Sequence, residues 1–252
     1  MARDTSGIAL PSKKPTLAIL IPAFNEGQRL PATLQGLSAA ISKGAFGGLN
    51  VTQVIIADDG STDRTVEVAN QMGQKLPGFS VETFDHAGKG GAIQSGWMRT
   101  KTDWVLIADA DLVVTWFSAA QMAEVLLDRS IPIAIGARGE THSTLLLRRT
   151  TGRLFNWLVR RVLGISFQDT QCGFKLFHRA TAHPIFLRLT SLGFAWDVEL
   201  LFLAQRAGLK VHSHPIDWED RPGSKVNVLL DGAKMFLEII RIRWRQRGHR
   251  YP

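Results

Sequence analysis

The 252-residue sequence has one cysteine and no apolar run near the length of about 20 residues that a membrane-spanning helix needs. Its single cysteine, Cys172, excludes an internal disulfide and a cysteine-based metal cluster, and it suits a reducing compartment. No charged, then apolar, then small-residue leader opens the sequence. These absences predict a protein that is soluble or peripheral to a membrane.

Several nucleotide and nucleic-acid signatures are also missing. No G-x-G-x-x-G follows the first predicted strand, which argues against a dinucleotide-dependent dehydrogenase. No serine or threonine follows Lys89 in its glycine-rich stretch, so this stretch is not a P-loop. Aromatic residues do not interleave with basic ones as an RNA-binding sheet requires, so nucleic acid is not an expected partner.

Acidic residues are scarce relative to basic ones, 22 against 30, giving a net charge of +8. This excess favours an anionic partner, either nucleic acid, a phosphorylated substrate or an anionic membrane surface. Charge alone does not distinguish these three.

Apolar runs alternate with helical patterns over the first half of the chain. Predicted strands cover TLAILIP, VTQVIIADDG, GFSVETFD and DWVLIADAD, and each is separated from the next by a helical pattern. This alternation predicts one α/β domain at residues 16–227 with a Rossmann-like, mostly parallel sheet. Residues 1–15 are predicted to be a flexible tail, and residues 228–252 a basic amphipathic helix.

Acidic turns follow three of these strands. They contain Asn25 and Glu26, Asp58 and Asp59, and Asp109 and Asp111. Because parallel strands end at one edge of a sheet, we expect the three turns to share that edge, where ligands of such sheets bind. Asn25 is expected to open the following helix, which tolerates Pro31 only in its first turn.

Asp109 and Asp111 are separated by one alanine at the end of an apolar run. Side chains two apart on a strand point the same way, so both carboxylates are expected to face one small volume. Such a pair suits Mg²⁺ or Mn²⁺, which take oxygen ligands and combine one or two carboxylates with substrate phosphates. The alternative is a solvated turn at the strand end.

The motifs IPAFNE, DDGSTDRT, GKGGA, ADAD, DTQCGFKLF, DVELL and RPGSK occur in this order between about residues 16 and 230. In order and spacing they resemble the inverting family 2 glycosyltransferases, most of all the dolichyl-phosphate glucosyltransferases and their bacterial polyprenyl-phosphate relatives. The resemblance implies a GT-A fold, a nucleotide-sugar donor, and a metal site of the D-x-D type at Asp109 and Asp111. It implies a donor nucleotide site at Pro22, Phe24, Glu26, Asp58, Asp59, Lys89, Gly90 and Asp109.

An acceptor lipid phosphate needs cations more than it needs a base. Its second pKa of about 6 leaves it largely ionised at neutral pH, so a dedicated general base is dispensable. Candidate acceptor-phosphate ligands are Arg138, Arg149, Arg153, Arg221, Ser224 and Lys225. For each arginine the alternative is a solvated basic face.

The resemblance places Asp169, Gln171 and Asp197 near the reacting centre as candidate catalytic residues. Asp197 could equally be an ordinary helix cap, because an apolar helix follows it. The basic segment from Arg148 to Arg161 and the C-terminal helix both combine arginines with apolar residues at helical spacing. Such helices lie in a membrane headgroup layer, or alternatively pack on the sheet with snorkelling arginines.

The resulting prediction is an enzyme, peripheral on the cytoplasmic side of a membrane, that moves a hexose to a polyprenyl or dolichyl phosphate with inversion. The preferred donor is UDP-glucose, and GDP-mannose is the alternative within the class. A haloacid dehalogenase-type phosphatase is the alternative from another class, because DADLV fits its nucleophile motif with Asp109 as nucleophile. Self-association is left open.

Overall fold

A computed structural model describes residues 14–111, 116–138, 159–167, 169–216 and 228–245. The strands are β1 Thr16–Ala23, β2 Asn50–Asp58, β3 Phe79–Thr83, β4 Trp104–Ala108, β5 Ile133–Arg138, β6 Phe174–His178 and β7 Val211–Ile216. The helices are α1 Leu30–Ser42, α2 Thr65–Gly73, α3 Lys89–Arg99, α4 Ser118–Arg129, α5 Arg179–Phe186, α6 Trp196–Arg206 and α7 Val228–Arg245. A further helical segment covers residues 159–163.

The seven strands form one sheet in the order β3-β2-β1-β4-β6-β5-β7. β6 runs antiparallel to both of its neighbours, while β1 to β4 pair in parallel and β5 pairs in parallel with β7. The carboxyl ends of β1, β2, β4 and β5 therefore lie at one edge, together with the start of β6. We call this edge the carboxyl rim. The predicted α/β class and mostly parallel sheet are confirmed.

The sheet is buried on both faces, as its continuous apolar strands require. Along β1, Leu17, Ile19 and Ile21 join one core cluster, whereas Ala18 and Leu20 join the cluster on the other face. This is the alternation that a strand imposes on its side chains. α1 and α4 cover the first face, and α3 and α6 the second.

The first helix begins later than the sequence pattern indicated. α1 starts at Leu30 with Pro31 in its first turn, where a missing N–H costs nothing. Asn25 does not cap it. With a φ of 54°, Asn25 lies in the left-handed region, and its side-chain oxygen accepts hydrogen bonds from the N–H groups of Thr62 (2.9 Å) and Asp63 (3.2 Å). Asn25 therefore fastens the β1 turn to the β2 turn.

The last helix packs on the domain along one side only. Ile239 and Ile242 of α7 are buried against α6, in a cluster with Val198 and Phe202. On its outer side, Leu237, Ile240 and Trp244 are exposed. None of the helices in the described ranges combines the length and the apolar character that a bilayer crossing requires. Residues 1–13 of the predicted tail and most of the basic segment from Arg148 to Arg161 lie outside the described residues.

Candidate active site

The three acidic turns meet at the carboxyl rim, as expected from strand polarity. Ala23 at the end of β1 is the register partner of Asp58 at the end of β2, and β1 also pairs with β4. The connections leave β1 toward β2 on one side and reach β4 on the other, so this is the switch point at which ligands of such sheets bind.

Asp109 and Asp111 lie in a turn beyond β4, which ends at Ala108, and each is neutralised by its own cation. Lys89 Nζ lies 2.6 Å from Asp109 Oδ1, and Arg29 Nη1 lies 2.8 Å from Asp111 Oδ2. Arg29 also contacts Glu26 Oε1 at 2.5 Å. The charged groups are only partly buried, so an anionic or cationic ligand can replace one partner of each ion pair.

Lys89 is the cation shared by this acidic cluster. Burial disfavours its charged form, but attraction by Asp109, Asp197 and Asp111, with the hydrogen bond to Asp109, outweighs that effect and raises the pKa of the ammonium group. Lys89 is therefore charged throughout the physiological range. It opens α3, whose N-terminal amides also favour an anion.

The two aspartates fit a hard divalent ion that relies on its substrate for further ligands. Among the described residues, no three acidic, histidine or cysteine side chains form a complete metal site. Mg²⁺ and Mn²⁺ do not need one when one or two carboxylates share the ion with a diphosphate. Asp109 and Asp111 are the residues that would hold it.

An aromatic pair and a buried carboxylate flank the end of β2. Phe24 is 41% exposed and stacks on His86 with ring centroids 4.4 Å apart. The carboxylate of Asp58 is fully buried, and its Oδ2 accepts the N–H of Ser61 at 3.1 Å. Its Oδ1 has no hydrogen-bond partner among the described residues. A buried acceptor of this kind is costly unless a ligand donates to it.

Asp59 has a different environment from its neighbour. Its carboxylate accepts the N–H groups of Ala87 (2.8 Å) and Gly88 (3.0 Å) and lies 2.8 Å from His86 Nδ1. It thereby fixes the loop that leads to Lys89.

Pro22, also predicted at the donor site, is buried within β1.

Gly90 allows α3 to approach the loop before α6. A Cβ at this position would lie 2.5 Å from the carbonyl oxygen of Ser191 and 2.8 Å from Cβ of Trp196. Glu199 holds that loop in place, because its buried carboxylate accepts hydrogen bonds from the N–H groups of Thr190 (2.9 Å) and Ser191 (2.7 Å). The glycine-rich motif therefore owes part of its composition to packing against α6.

Arg138, at the end of β5, binds the carboxylate of Asp169 at two points. Arg138 Nε donates to Asp169 Oδ2 at 2.7 Å and Nη2 to Oδ1 at 2.9 Å. Burial opposes ionisation of Asp169, but these hydrogen bonds and the positive charge of Arg138 lower its pKa below the usual value. Asp169 is consequently a weak proton acceptor in this arrangement.

Asp197 does not cap its helix. It lies in the first turn of α6, where no side chain caps the helix. Its Oδ1 accepts a hydrogen bond from Lys175 Nζ at 2.5 Å. Burial raises the pKa of Asp197, and the ammonium groups of Lys175 and Lys89 act against that rise. Gln171, the remaining candidate, directs its side-chain amide to the sulfur of Met235 in α7, 3.2 Å away.

Of the six candidate acceptor-phosphate ligands, Arg138 lies at the carboxyl rim. Arg149, Arg153, Arg221, Ser224 and Lys225 lie outside the described residues. The sequence reasoning missed Arg29 and Lys175. Arg29 carries no motif signal, whereas Lys175 is a lone cation inside an apolar strand of DTQCGFKLF, and that mismatch was a usable signal.

Comparison with known proteins identifies the family and the fold. Dolichyl-phosphate beta-glucosyltransferases from Drosophila melanogaster and Saccharomyces cerevisiae are 35% and 33% identical, each over 90% of this chain and 74% of its own length. The crystal structure of glucosyl-3-phosphoglycerate synthase from Mycobacterium tuberculosis with Mn²⁺ and UDP-glucose is 21% identical, with a TM-score of 0.63 over 94% of this chain and 80% of that chain. It shares the GT-A fold. The family model of glycosyl transferase family 2 matches residues 18–186, and this chain belongs to that family.

Proposed function

We propose that this enzyme transfers glucose from UDP-glucose to dolichyl phosphate or a closely related polyprenyl phosphate, with inversion at C1. The names of its relatives give the sugar and the lipid acceptor. The observation that carries the donor assignment is the Oδ1 atom of Asp58, a buried acceptor for which the described part of the chain supplies no partner, together with the exposed ring of Phe24 at the end of the neighbouring strand.

The environment of Asp58 favours uracil as the base. Ser61 donates to Oδ2 of this carboxylate, whereas Oδ1 has no hydrogen-bond partner within the described ranges and can accept from the base. The single ring N–H of uracil matches this one acceptor atom. Phe24 follows Ala23, the register partner of Asp58, and provides the aromatic face for stacking.

The donor diphosphate is expected at the turn of Asp109 and Asp111. Lys89 and Arg29 supply positive charge there, and both are partly exposed. A divalent ion held by the two aspartates would supply Lewis-acid stabilisation of the departing diphosphate, an effect of several kcal/mol. Mn²⁺ in the mycobacterial UDP-glucose complex supports this proposal, and Mg²⁺ satisfies the same ligands.

The transfer needs no general base on the acceptor side. A phosphate oxygen of the lipid attacks C1 of glucose, and the bond from C1 to the diphosphate oxygen breaks. Because the attacking oxygen is already ionised, no proton has to be removed. The lowered pKa of Asp169 agrees with this, and we assign Asp169 to holding Arg138 at the rim toward the acceptor phosphate.

The alternatives are less favoured. The names of the relatives specify glucose, which argues against GDP-mannose as the donor. A phosphatase nucleophile at Asp109 would be expected after the first strand of the sheet, whereas Asp109 follows β4 and is paired with Lys89.

We further propose that the exposed side of α7 contacts the membrane that carries the acceptor. Leu237, Ile240 and Trp244 form an exposed apolar stripe at helical spacing, and Arg241 and Arg245 are exposed on the same helix. Arg245 Nη1 also donates to Thr190 Oγ1 at 3.1 Å. A Cβ on Gly193 would lie 3.7 Å from Glu238 Oε2 of α7, so the loop that carries the exposed residues Leu192 and Phe194 lies beside this helix.

Vesicle sedimentation tests the membrane contact. The protein should sediment with phosphatidylcholine vesicles that contain phosphatidylglycerol, and less so at high salt, because each basic residue near an anionic surface contributes roughly 1 kcal/mol. Leu237→Ser with Trp244→Ser should abolish sedimentation. Leu127→Ser, at an exposed leucine of α4, is the matched control. Equal sedimentation of all three proteins would contradict this surface.

A donor screen tests the reaction. Radiolabelled UDP-glucose, UDP-galactose and GDP-mannose are each incubated with dolichyl phosphate, with Mn²⁺ or with a chelator, and organic-phase label is counted. Label from UDP-glucose alone, dependent on the metal, is the expected result. Asp58→Asn should weaken UDP binding about 10- to 100-fold, the range for a hydrogen bond to a charged acceptor. Asp128→Asn, on the exposed side of α4, is the control. Label that remains in water for every donor would refute the proposal.

A further inference from the structure

A fully buried lysine lies behind the donor site, near the start of β6. Lys175 pairs in register with Ile107 of β4, and none of its side chain is exposed. Its ammonium group donates to Asp197 Oδ1 at 2.5 Å and to the carbonyl of Cys172, and it lies 5.2 Å from the centre of the Trp196 ring. Neither Lys175 nor the nearly buried Asp197 reaches the surface of the rim.

Stability alone does not account for this pair. Removing two charges from water is expensive, and apolar residues of similar volume are often as stable or more stable at such positions. The flanking residues Phe174, Leu176 and Phe177 are all buried and apolar, so an apolar residue would match its surroundings. The charges therefore call for a role beyond packing.

The buried pair lies close to Lys89 because the start of α3 packs against the start of α6. Gly90 follows Lys89 and Trp196 precedes Asp197, and a Cβ on Gly90 would lie 2.8 Å from Cβ of Trp196. At the rim, Lys89 Nζ lies 2.6 Å from Asp109 Oδ1. Behind it, the Asp197 carboxylate is a second negative charge that favours the charged form of Lys89 against the effect of burial.

We propose that Lys175 and Asp197 are positioning residues for Lys89. Lys175 fixes the Asp197 carboxylate, and Asp197 attracts the Lys89 ammonium from behind. When ligands engage Asp109 at the rim, Asp197 remains as the fixed anion that keeps Lys89 beside the donor diphosphate. This inference rests on the donor site proposed above, and it assigns Asp197 to positioning rather than to proton transfer.

Three variants separate positioning from packing. Lys175→Met and Asp197→Leu each leave one buried charge alone, so each should lower the urea midpoint of unfolding. The double variant removes both charges together and should regain most of the wild-type midpoint. Its affinity for UDP should nevertheless stay about tenfold below wild type, within the usual range of coupling between neighbouring groups, and its donor KM should rise more than kcat falls. A double variant that recovers both stability and UDP affinity would show the pair to be structural only.

Chemical labelling of Lys89 tests its positioning by Asp197 and Lys175 without a nucleotide-sugar donor. Acylation by an N-hydroxysuccinimide ester, followed by peptide mass spectrometry, should be slow at Lys89 in the wild type and faster in the double variant. Lys101, exposed and remote from the pair, should label equally in both. An unchanged rate at Lys89 would overturn the proposal. Because this readout needs no nucleotide, failure of the UDP assignment and failure of the positioning role give different results.

Discussion

The two edges of the sheet use polar groups in different ways. At the carboxyl rim, acids are paired with partly exposed cations from distant parts of the chain, as in Asp111 with Arg29. At the opposite edge, Asp103 accepts both the N–H and the hydroxyl of Thr16, at 2.8 and 2.7 Å, and so joins the starts of β1 and β4. The first arrangement is open to exchange with ligands, and the second serves strand alignment. Function and stability are thus assigned to opposite edges.

The largest effect should follow from changes at the rim carboxylates. Asp109→Asn and Asp111→Asn should each lower transfer at least about 100-fold, because stabilisation of the diphosphate is worth several kcal/mol. Their urea midpoints should stay close to wild type, since the charges they remove are partly exposed. Glu67→Gln, which breaks the exposed pair with Arg64, is the control. A rim variant with a clearly lowered urea midpoint but undiminished transfer would contradict the assignment of function to the carboxyl rim and of stability to the opposite edge.

The next largest effect is expected at Gly173, whose backbone packs closely against the carboxylate of Asp109. A Cβ on Gly173 would lie 2.0 Å from Asp109 Oδ2, so Gly173→Ala forces that carboxylate away from Lys89. A misplacement of about 1 Å can cost roughly 100-fold in rate, and we expect a loss of this order in steady-state transfer. The side chain of Asp109 can rotate, so the thermal midpoint should change little. Gly48→Ala is the control, because Gly48, like Gly173, has no positive φ and a Cβ there would meet only the flexible end of Leu127, at 3.2 Å.

A smaller and opposite effect is expected from Arg29. Arg29→Met removes the cation that competes for Asp111, so binding of Mn²⁺ without donor should become tighter by up to about fivefold, the worth of a partly exposed ion pair. Electron paramagnetic resonance of free Mn²⁺ measures this directly. Arg64→Met, at an exposed pair away from Asp111, should leave the affinity unchanged. Weaker Mn²⁺ binding in Arg29→Met would show that Asp111 is not the ligand that Arg29 covers.

The smallest effect belongs to the opposite edge. The backbone and hydroxyl hydrogen bonds of Thr16 lower the pKa of Asp103 in the folded state. Its stabilisation is therefore present above the unfolded pKa of about 3.9 and is lost as the pH falls through the lower folded value. Asp103→Asn should cost under about 1 kcal/mol at pH 7, because the group is exposed, and the gap to wild type should narrow in acid. Urea titrations of both proteins at pH 7 and at a pH below the folded pKa measure this difference in the free energy of unfolding. The rate of glucose transfer should be unaffected.

The rim itself was predictable from sequence for a simple reason. Three of the first four strands, β1, β2 and β4, are apolar runs followed by acids, and parallel polarity brings their ends together without any knowledge of packing. The turn after β4 was less predictable: Asp109 and Asp111 were expected to point together from a strand, but the strand ends at Ala108 and each acid meets a different cation.

The partners of the charged groups could not be read from the sequence. Arg29 and Asp111 are separated by 82 residues, and Lys175 and Asp197 by 22, so their contacts depend on how the strands and helices pack. The antiparallel insertion of β6 between β4 and β5 decides the second contact. An apolar strand does not encode its direction, so the sequence could not give the orientation of the strand within DTQCGFKLF.

The environment of Cys172 has a practical consequence. Burial raises the pKa of this thiol to about 11, and its sulfur packs against Gly136. At neutral pH it will hardly react with maleimides, so the natural chain is almost silent toward thiol-directed probes. A cysteine introduced at position 237 or 194 would then carry a fluorophore or spin label alone, and its signal would report how deeply that site enters a lipid layer.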